Sequence, residues 1–478
     1  FADLMGEIQD EFVQGLIEDP AKAGLDVDQP LMIFADFKAP PAEAEVIEPL
    51  VKGGIVASLK DADKLKALVE KLIEGIDLPI EIKPVQKEGY TAVAPPGMPA
   101  ALGYSKDTLI ILIDSDPTQA AKVAGELDKL FQAKDTLAKD SNGAALLQRP
   151  HDVAAWLDYS KVLNTMLAGL GELGAEANPL GSFMPEMIKD MEISATLRFE
   201  PGKVITSMGS TYNTELYKGE FSRGGLDKGL LGMVPGNAIA AGAEAFNFKP
   251  IREMILKDWI PMLEQFGEDF GEDFGQQVQN ALGLTFEELL AIPKGDFLLV
   301  FDGLVQADAL EPPMPNFLIG MTIDNKANLQ KLLDNPAVAG GLAVPRAYGM
   351  DLTHNDKGLF FYSANHAKAV NDGKTSNPAA PAHLALLAND IGGYVKFGAV
   401  VAIINQLAAD DPDAQQIIQI LSKLDQGTLT GTFGKGVQTL DAELTFLDKK
   451  TNGLKQLVDL IKEIDIAGVF GGGAPDRD

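Results

Sequence analysis

One pattern of residues occurs twice in this chain, first as Ala57-Ser-Leu-Lys-Asp-Ala-Asp-Lys-Leu65-Lys-Ala-Leu68 and again as Met321-Thr-Ile-Asp-Asn-Lys-Ala-Asn-Leu329-Gln-Lys-Leu332. Each copy begins with the apolar residues of a strand, passes through a polar turn with helix N-cap residues, and continues with leucines spaced as on one helix face. Both leucine pairs lie 264 residues apart (329 − 65 and 332 − 68). Self-similarity of this kind indicates an internal duplication.

Later segments repeat in the same order. Asp152–Tyr159 is matched by Asp390–Phe397, with Trp156 against Tyr394, and two glycine-containing hairpins follow, one at Ile193–Met208 and one at Leu429–Val437. Because the offsets differ, the copies have gained or lost loop residues. We predict an α+β fold made by tandem duplication of one mixed, largely antiparallel module of sheet plus helices. The predicted modules are residues 1–234 and 235–465, joined near Leu216–Asn237, with a flexible tail at 466–478.

The two copies differ at their starts. The second begins with a strand-like stretch, Ala238–Phe246, which precedes an apolar helix face running from Ile251 to Phe266. The first copy begins inside the matching helix, at Phe1–Ile17. By symmetry, we expect the natural chain to extend upstream by at least one strand.

Composition excludes several classes of protein. The 478 residues include no cysteine, so a disulfide scaffold, a cysteine-ligated metal site and a cysteine nucleophile are excluded. With 40 Lys and Arg against 69 Asp and Glu, the net charge of −29 repels phosphate backbones and argues against nucleic acid as a partner. No apolar run reaches the roughly 20 residues that span a bilayer.

We find no catalytic residues and no cofactor site in the sequence. Gly169-Leu-Gly171-Glu-Leu-Gly174 matches a dinucleotide-binding spacing, but it follows a helical stretch and does not open a helix, so a loop is favoured. The acidic stretch Gly267–Gly275 supplies the weak metal candidates, which are Glu268, Asp269, Glu272 and Asp273. An acidic connector loop is the favoured interpretation, and a weak divalent-cation or partner-docking loop is the alternative.

The histidines and tryptophans are weaker candidates for functional residues. Only His354 and His366 could meet as a metal pair, and surface or capping roles are favoured for all four histidines. Both tryptophans, Trp156 and Trp259, lie on apolar patterns that favour the core.

The chain resembles a family of Gram-negative bacterial envelope lipoproteins described as a domain of unknown function. The resemblance is carried by Gly24-Leu-Asp-Val-Asp28-Gln-Pro30, the strand, turn and helix of Val56–Leu72, the Asp152–Tyr159 segment, and Val234-Pro-Gly-Asn-Ala238. It implies an exported protein without a known activity. In that family a signal peptide with a lipobox cysteine precedes the domain, so a lipid anchor would lie upstream of Phe1.

These observations lead to an expected function. We expect a non-catalytic, extracytoplasmic binding or structural component of a cell envelope, in the periplasm or at the outer membrane, with other envelope proteins as partners. The alternatives are a periplasmic ligand-binding protein with its site between the modules, and a hydrolase whose acidic residues converge only in the folded chain.

Overall fold

A computed structural model describes most of the chain. The residues it describes are 20–26, 28–29, 31–38, 50–75, 82–132, 148–169, 189–215, 221–261, 268–306, 313–409, 411–434 and 436–463. They form a mixed α+β fold with two large antiparallel sheets, which confirms the predicted fold class. The chain divides into two compact units, the first made of residues 1–140 and 159–181, the second of 141–158 and 182–478. The predicted module boundary at 234/235 falls inside the second unit, and the division into two modules stays a prediction.

The first unit contains a six-stranded sheet in the order β1-β2-β6-β5-β4-β3, with every neighbour antiparallel. Its strands are β1 (Met32–Lys38), β2 (Leu50–Ser58), β3 (Val85–Gln86), β4 (Thr91–Val93), β5 (Ala100–Tyr104) and β6 (Thr108–Asp114).

Helices cover both faces of this sheet. They are α1 (Ala62–Gly75), α2 (Ala120–Gln132, after a 3-10 turn at Pro117–Gln119) and α3 (Tyr159–Gly169). Leu65 of α1 is buried with Leu109 on one face, and Leu127 of α2 is buried with Leu112 on the other. Since alternate strand residues point to opposite faces, the apolar run in β6 can serve both cores.

The second unit contains an eleven-stranded sheet in the order β13-β14-β12-β11-β10-β15-β16-β17-β9-β8-β7, again antiparallel throughout. Its strands are β7 (Val153–Asp158), β8 (Glu192–Glu200), β9 (Lys203–Thr211), β10 (Ala240–Ala245), β11 (Pro293–Val305), β12 (Met314–Ile323), β13 (Met350–His354), β14 (Leu359–Ser363), β15 (Ile391–Lys396), β16 (Leu424–Phe433) and β17 (Val437–Phe446).

The second unit also contains most of the described helices. They are α4 (Lys228–Leu231), α5 (Phe248–Met254, continued by a π turn at Ile255–Trp259), α6 (Glu268–Leu282), α7 (Phe286–Leu290), α8 (Lys326–Leu333), α9 (Pro336–Gly341), α10 (Ala343–Ala347), α11 (Ala367–Asp372, after a 3-10 turn at Ala364–His366), α12 (Pro381–Leu387), α13 (Phe397–Ala408), α14 (Pro412–Leu421) and α15 (Gly453–Glu463). Among the described helices, none is both long and apolar enough to cross a membrane.

The two halves of the chain repeat one strand order. β1-β2-β6-β5 has the same succession along the chain and the same pairing as β11-β12-β14-β13, and β7-β8-β9 has the same as β15-β16-β17. The matched leucines occupy matching cores: Leu65 is buried with Ala57, and Leu329 is buried beside Met321. These matches support the predicted duplication.

Two predictions of local secondary structure were wrong. The apolar run Gly393–Val401 predicts a single strand, but β15 ends at Lys396 and helix α13 begins at Phe397. A continuous apolar run does not distinguish strand from helix, which explains this error. The predicted connector loop at Gly267–Gly275 belongs mostly to α6, which accommodates Gly271 and Gly275 at about 1 kcal/mol each.

Candidate functional site

Polar side chains line one face of three adjacent strands in the second unit. We call this set the polar face: Trp156 of β7, Ser194, Thr196 and Arg198 of β8, and Ser207 of β9. Register places Trp156 directly opposite Ser194, and Thr196 directly opposite Ser207. Ser194 is only 1% exposed, and Thr196 and Ser207 are also buried. Polar side chains are seldom buried on a strand face unless they are hydrogen-bonded, so this face is unusual.

Three polar atoms on this face have no hydrogen-bond partner among the residues that the structure describes. They are the indole Nε1 of Trp156, the hydroxyl Oγ of Ser194 and the guanidinium Nε of Arg198. Leaving a buried donor unpaired costs about 1–3 kcal/mol, and an acceptor atom that reached these groups would recover that energy. All three groups can donate, so the polar face is suited to a ligand that carries oxygen acceptors.

Charged side chains surround the polar face. Arg198 Nη2 lies 2.8 Å from Glu200, and Lys203 Nζ lies 3.2 Å from both Glu200 and Glu443. Burial of Lys203 opposes its charge, but the hydrogen bonds that Lys203 donates to Glu443 and Glu200 outweigh burial and raise the pKa of Lys203. These pairings hold the rim charges in place and leave Nε of Arg198 as the free guanidinium donor.

The second half of the chain has a matching arrangement. Tyr394 of β15 lies opposite Thr428 of β16, as Trp156 lies opposite Ser194. The hydroxyl of Tyr394 is buried and has no hydrogen-bond partner in the described ranges, and burial raises the pKa of Tyr394 to about 12. The ring of His383 stacks on Tyr394 with centroids 4.1 Å apart. A ring of the protein therefore occupies one face of Tyr394.

A second buried polar group contains a carboxylate and an imidazole. Oδ1 of Asp302 lies 3.4 Å from Nε2 of His366, and within the described part of the chain neither atom makes a hydrogen bond. Asn237 donates to the other oxygen of Asp302 at 3.2 Å. A bulge in β11 between Phe301 and Gly303 breaks the strand's alternation at Asp302. An Asp–His pair of this kind can hold or move a proton.

The sequence predicts surface or capping roles for the histidines, with His354 and His366 as the only two that could meet. The structure gives them different partners, because exposed His354 contacts Gln330 at 3.1 Å while buried His366 lies beside Asp302. A surface role for His366 was therefore wrong.

The predicted metal candidates are placed only by their backbone. Glu268, Asp269, Glu272 and Asp273 lie in the first turns of α6, and their side chains are outside the described residues. In the part of the chain whose side chains are described, no three or more His, Asp or Glu residues are grouped to hold a metal ion. The glycine-rich stretch begins at the last residue of α3, Gly169, and continues outside the described residues.

A cavity of about 450 Å³ lies at one end of the second sheet. It is lined by residues that include Arg346, Asp351 and Tyr362. Arg346 Nε is paired with Asp351 at 3.2 Å, so the charges of this cavity already satisfy each other. Burial, with the nearby charge of Asp351, raises the pKa of Tyr362.

Most of the polar face was not predicted from the sequence. Trp156 is predicted as a core residue matching Tyr394, and no role is predicted for the hydroxyls and the arginine of β8. The sequence does contain one indication of this face, because the polar residues Ser194, Thr196 and Arg198 occupy every second position of the predicted strand. Polar residues at every second position predict a shared face, but not that the face is buried.

Comparison with known proteins identifies one domain. No curated protein and no solved structure matches this chain significantly. The expectation of a family described only as a domain of unknown function is confirmed for part of the chain. Residues 5–216 match the domain of unknown function DUF4836, so the first half of this chain contains a DUF4836 domain.

Proposed function

We propose that this protein is a non-catalytic, extracytoplasmic binding component of a bacterial cell envelope, and that it binds its ligand at the polar face. The observation that carries the proposal is the set of three buried, unpartnered donors at Trp156, Ser194 and Arg198. The resemblance to envelope lipoproteins supports the location. The absence of cysteine suits an exported chain without stray thiols.

The chemistry of the polar face indicates the class of ligand. An indole N–H, a hydroxyl and a guanidinium N–H on one sheet face can together bind hydroxyl, ether or carbonyl oxygens. The acidic rim at Glu200 and Glu443 and the net charge of −29 disfavour a strongly anionic ligand. A neutral, oxygen-rich ligand, such as an envelope glycan, fits both constraints.

Tryptophan fluorescence offers a direct test. The chain has two tryptophans, so Trp259→Phe leaves Trp156 as the only indole reporter. We expect titration with soluble glycan strands and neutral oligosaccharides to change Trp156 emission in a saturable way. Adding Arg198→Ala should weaken that binding by roughly tenfold, the effect of losing one buried charge-assisted hydrogen bond.

A matched control lies in the second half of the chain. Thr432 occupies the position in β16 that Arg198 occupies in β8, and its hydroxyl is already bonded to Thr439 at 2.8 Å. Thr432→Ala should therefore leave ligand affinity unchanged. If no glycan alters Trp156 emission, or if Arg198→Ala and Thr432→Ala bind equally, the polar face is not the binding site.

The location needs a separate measurement. We expect fractionation of the native cell to place the protein with the envelope, and affinity purification to recover envelope proteins with it. Recovery of an unprocessed monomer from the cytosol would overturn the envelope part of the proposal while leaving ligand binding at the polar face intact.

A second candidate function, hydrolysis, is favoured only by the Asp302–His366 pair. Its geometry would let His366 act as a general base with the carboxylate of Asp302 beside it. Turnover of chromogenic ester, amide or glycoside substrates that disappears in His366→Ala, but persists in His354→Ala, would establish it. If none of these substrates is hydrolysed, ligand binding at the polar face is the better proposal.

A further inference from the structure

Three buried polar atoms in the second unit have no hydrogen-bond partner among the described residues. They are Oδ1 of Asp302 in β11, Oδ1 of Asn316 in β12, and Nε2 of His366 in the 3-10 turn that follows β14. The side chains of Asp302 and His366 are 7% and 5% exposed, and Asn316 is 7% exposed. Folded proteins seldom bury even one such atom, so a group of three indicates that something else satisfies them.

The strand register brings Asp302 and Asn316 together. Phe301 pairs with Phe317, and Gly303 pairs with Asn316. The bulge between these pairs leaves Asp302 as an extra residue, so Asp302 and Gly303 both lie against Asn316. Asp302 and Asn316 are therefore adjacent across the two strands, and the contact of Asp302 with His366 brings in the third side chain.

The chemistry of these atoms favours a cation. A carboxylate oxygen and an amide oxygen can only accept, so Asp302 and Asn316 cannot satisfy each other. A protonated His366 would balance the charge of Asp302, but the two atoms are not aligned for a hydrogen bond, and the oxygen of Asn316 would still have no donor. A metal ion satisfies all three atoms at once, because each of them can supply a lone pair.

The distance between two of the atoms suits a metal ion. Oδ1 of Asp302 and Nε2 of His366 are 3.4 Å apart. Zinc lies about 2.0–2.2 Å from its oxygen and nitrogen ligands, and an ion about 2.1 Å from both atoms would subtend an angle of about 110°, which is the tetrahedral angle. The separation is long for a hydrogen bond, but it is the one expected between two ligands of a single tetrahedral ion.

A fourth side chain holds the carboxylate from outside. Nδ2 of Asn237 donates to Oδ2 of Asp302 at 3.2 Å, which fixes the carboxylate and leaves Oδ1 for an ion. Such outer partners orient the ligands in most protein metal sites. Asn237 is exposed, so the carboxylate of Asp302 lies directly beneath the surface, within reach of an ion from solution.

We propose that Asp302, Asn316 and His366 bind one divalent transition-metal ion, with water as the fourth ligand. One imidazole nitrogen, two oxygens and no sulfur suit an ion such as Zn²⁺. The site has one aspartate and one histidine, so it differs from a group of three acidic or histidine ligands, of which the described side chains have none. It is independent of the polar face, but it competes with a general-base role for His366, because one nitrogen cannot hold a metal ion and accept a proton.

Zinc binding to the whole chain tests the proposal. Equilibrium dialysis should find one Zn²⁺ bound per chain, and Zn²⁺ should raise the midpoint of thermal unfolding. Loss of an outer partner costs about 10–100-fold in metal affinity, so Asn237→Ala should weaken binding roughly tenfold and His366→Ala at least roughly 100-fold. The control is His354→Ala, an exposed histidine bonded to Gln330, which should leave the affinity unchanged.

Asn316→Asp is the most specific variant. It replaces a neutral oxygen ligand by a charged one, so it should tighten Zn²⁺ binding roughly tenfold, as added ligand charge does in other metal sites. Without metal, the same variant should be less stable, because two carboxylates would then be buried together. An affinity equal to or weaker than that of the unmodified chain would overturn the assignment of Asn316 as a ligand.

Nuclear magnetic resonance of the unmodified chain covers the case in which His366→Ala does not fold. The chain has four histidines, and variants of the other three assign the imidazole nitrogens of His366 by elimination. One equivalent of Zn²⁺ should shift Nε2 of His366 and leave the other three imidazoles in place. The absence of stoichiometric binding, equal losses in His366→Ala and His354→Ala, or an unshifted His366 would overturn the metal site and leave a buried water molecule as the occupant.

Discussion

Asp152 and Asp390 make the same hydrogen bond in the two halves of the chain. Oδ2 of Asp152 accepts from the amide of Phe199 at 2.6 Å, and Oδ2 of Asp390 accepts from the amide of Phe433 at 3.0 Å. Each aspartate comes just before the first strand of its three-strand group, and each phenylalanine lies near the end of the second. The carboxylate thus connects the start of one strand to the adjacent strand, and both halves of the chain contain this hydrogen bond.

The two aspartates differ in what else depends on them. Asp390 is buried and also accepts from Ser222 Oγ at 2.9 Å and from the amide of Gly225 at 3.2 Å. Asp152 is exposed. Asp390 therefore also anchors the segment that joins the two halves, and the same substitution should have unequal effects.

We predict that Asp390→Asn lowers the free energy of unfolding of the second unit by about 1–3 kcal/mol, since the amide keeps only one of two acceptor oxygens in a buried place. Asp152→Asn should cost less than about 1 kcal/mol, because water can replace the lost acceptor. Urea denaturation of both variants, followed by tyrosine and tryptophan signals, measures the difference. Equal losses would contradict the anchoring role of Asp390.

Much of the architecture could be predicted from the sequence because it follows from apolar spacing. Leu65 and Leu329 were matched by spacing alone, and both are buried in corresponding cores. Trp156 and Tyr394 were matched in the same way, and both lie opposite a hydroxyl residue on the adjacent strand. Such positions are fixed by local periodicity, which a sequence shows directly.

A buried ion pair provides the second prediction. Arg223 pairs with Asp296, whose side chain is 1% exposed, while that of Arg223 is 22% exposed. Arg223→Ala should cost about 3 kcal/mol, because the charge of Asp296 would stay buried with only Thr322 and the amide of Asp227 as donors. The control is Lys449→Ala, which removes an exposed pair with Asp425 and should cost less than about 1 kcal/mol. Chemical denaturation compares them, and similar losses would show that the buried pair contributes little.

The candidate site was harder to predict, for a physical reason. The polar face depends on pairing between β7, β8 and β9, and Trp156 lies 38 residues from Ser194 in the chain (194 − 156). The Asp302–His366 contact likewise depends on a bulge that breaks strand alternation. Nothing local in the sequence marks a bulge or the burial of a polar residue, because both arise from packing of distant segments.

The dependence of the unfolding free energy on pH above 10 provides the third prediction. Burial, together with a hydrogen bond to Asp128 at 2.6 Å, raises the pKa of Tyr90 from 10.0 to about 12, and burial does the same for Tyr394. Below pH 10 both phenols are protonated in the folded and unfolded chains. Between about pH 10 and 12 the unfolded chain loses these protons first, so stability falls as pH rises through this range.

Two variants check this prediction. Tyr90→Phe and Tyr394→Phe should each make the fall in unfolding free energy between pH 10 and 12 shallower, because each removes one group that titrates only in the unfolded chain there. Ultraviolet titration of the folded protein should show the phenols of Tyr90 and Tyr394 ionising above the usual pH range of tyrosine. Unchanged slopes in both variants would mean that the unfolded and folded pKa values of these phenols are the same.

Adjacent glycines in the joining segment provide the last prediction. Gly224 and Gly225 both have positive φ, at 73° and 101°. A Cβ on Gly224 would meet no atom within 4 Å, whereas a Cβ on Gly225 would lie 1.9 Å from the carbonyl oxygen of Ala388. Gly224→Ala should therefore cost about 1 kcal/mol for backbone strain alone, and Gly225→Ala several times more, since backbone must move. Gly225 also donates its amide to Asp390, so that movement would break this hydrogen bond. In the double variant, Asp390→Asn should therefore lower the free energy of unfolding much less than it does when Gly225 is present. Thermal and urea unfolding of the four proteins measure the coupling, and strictly additive losses would show that Gly225 and Asp390 act independently.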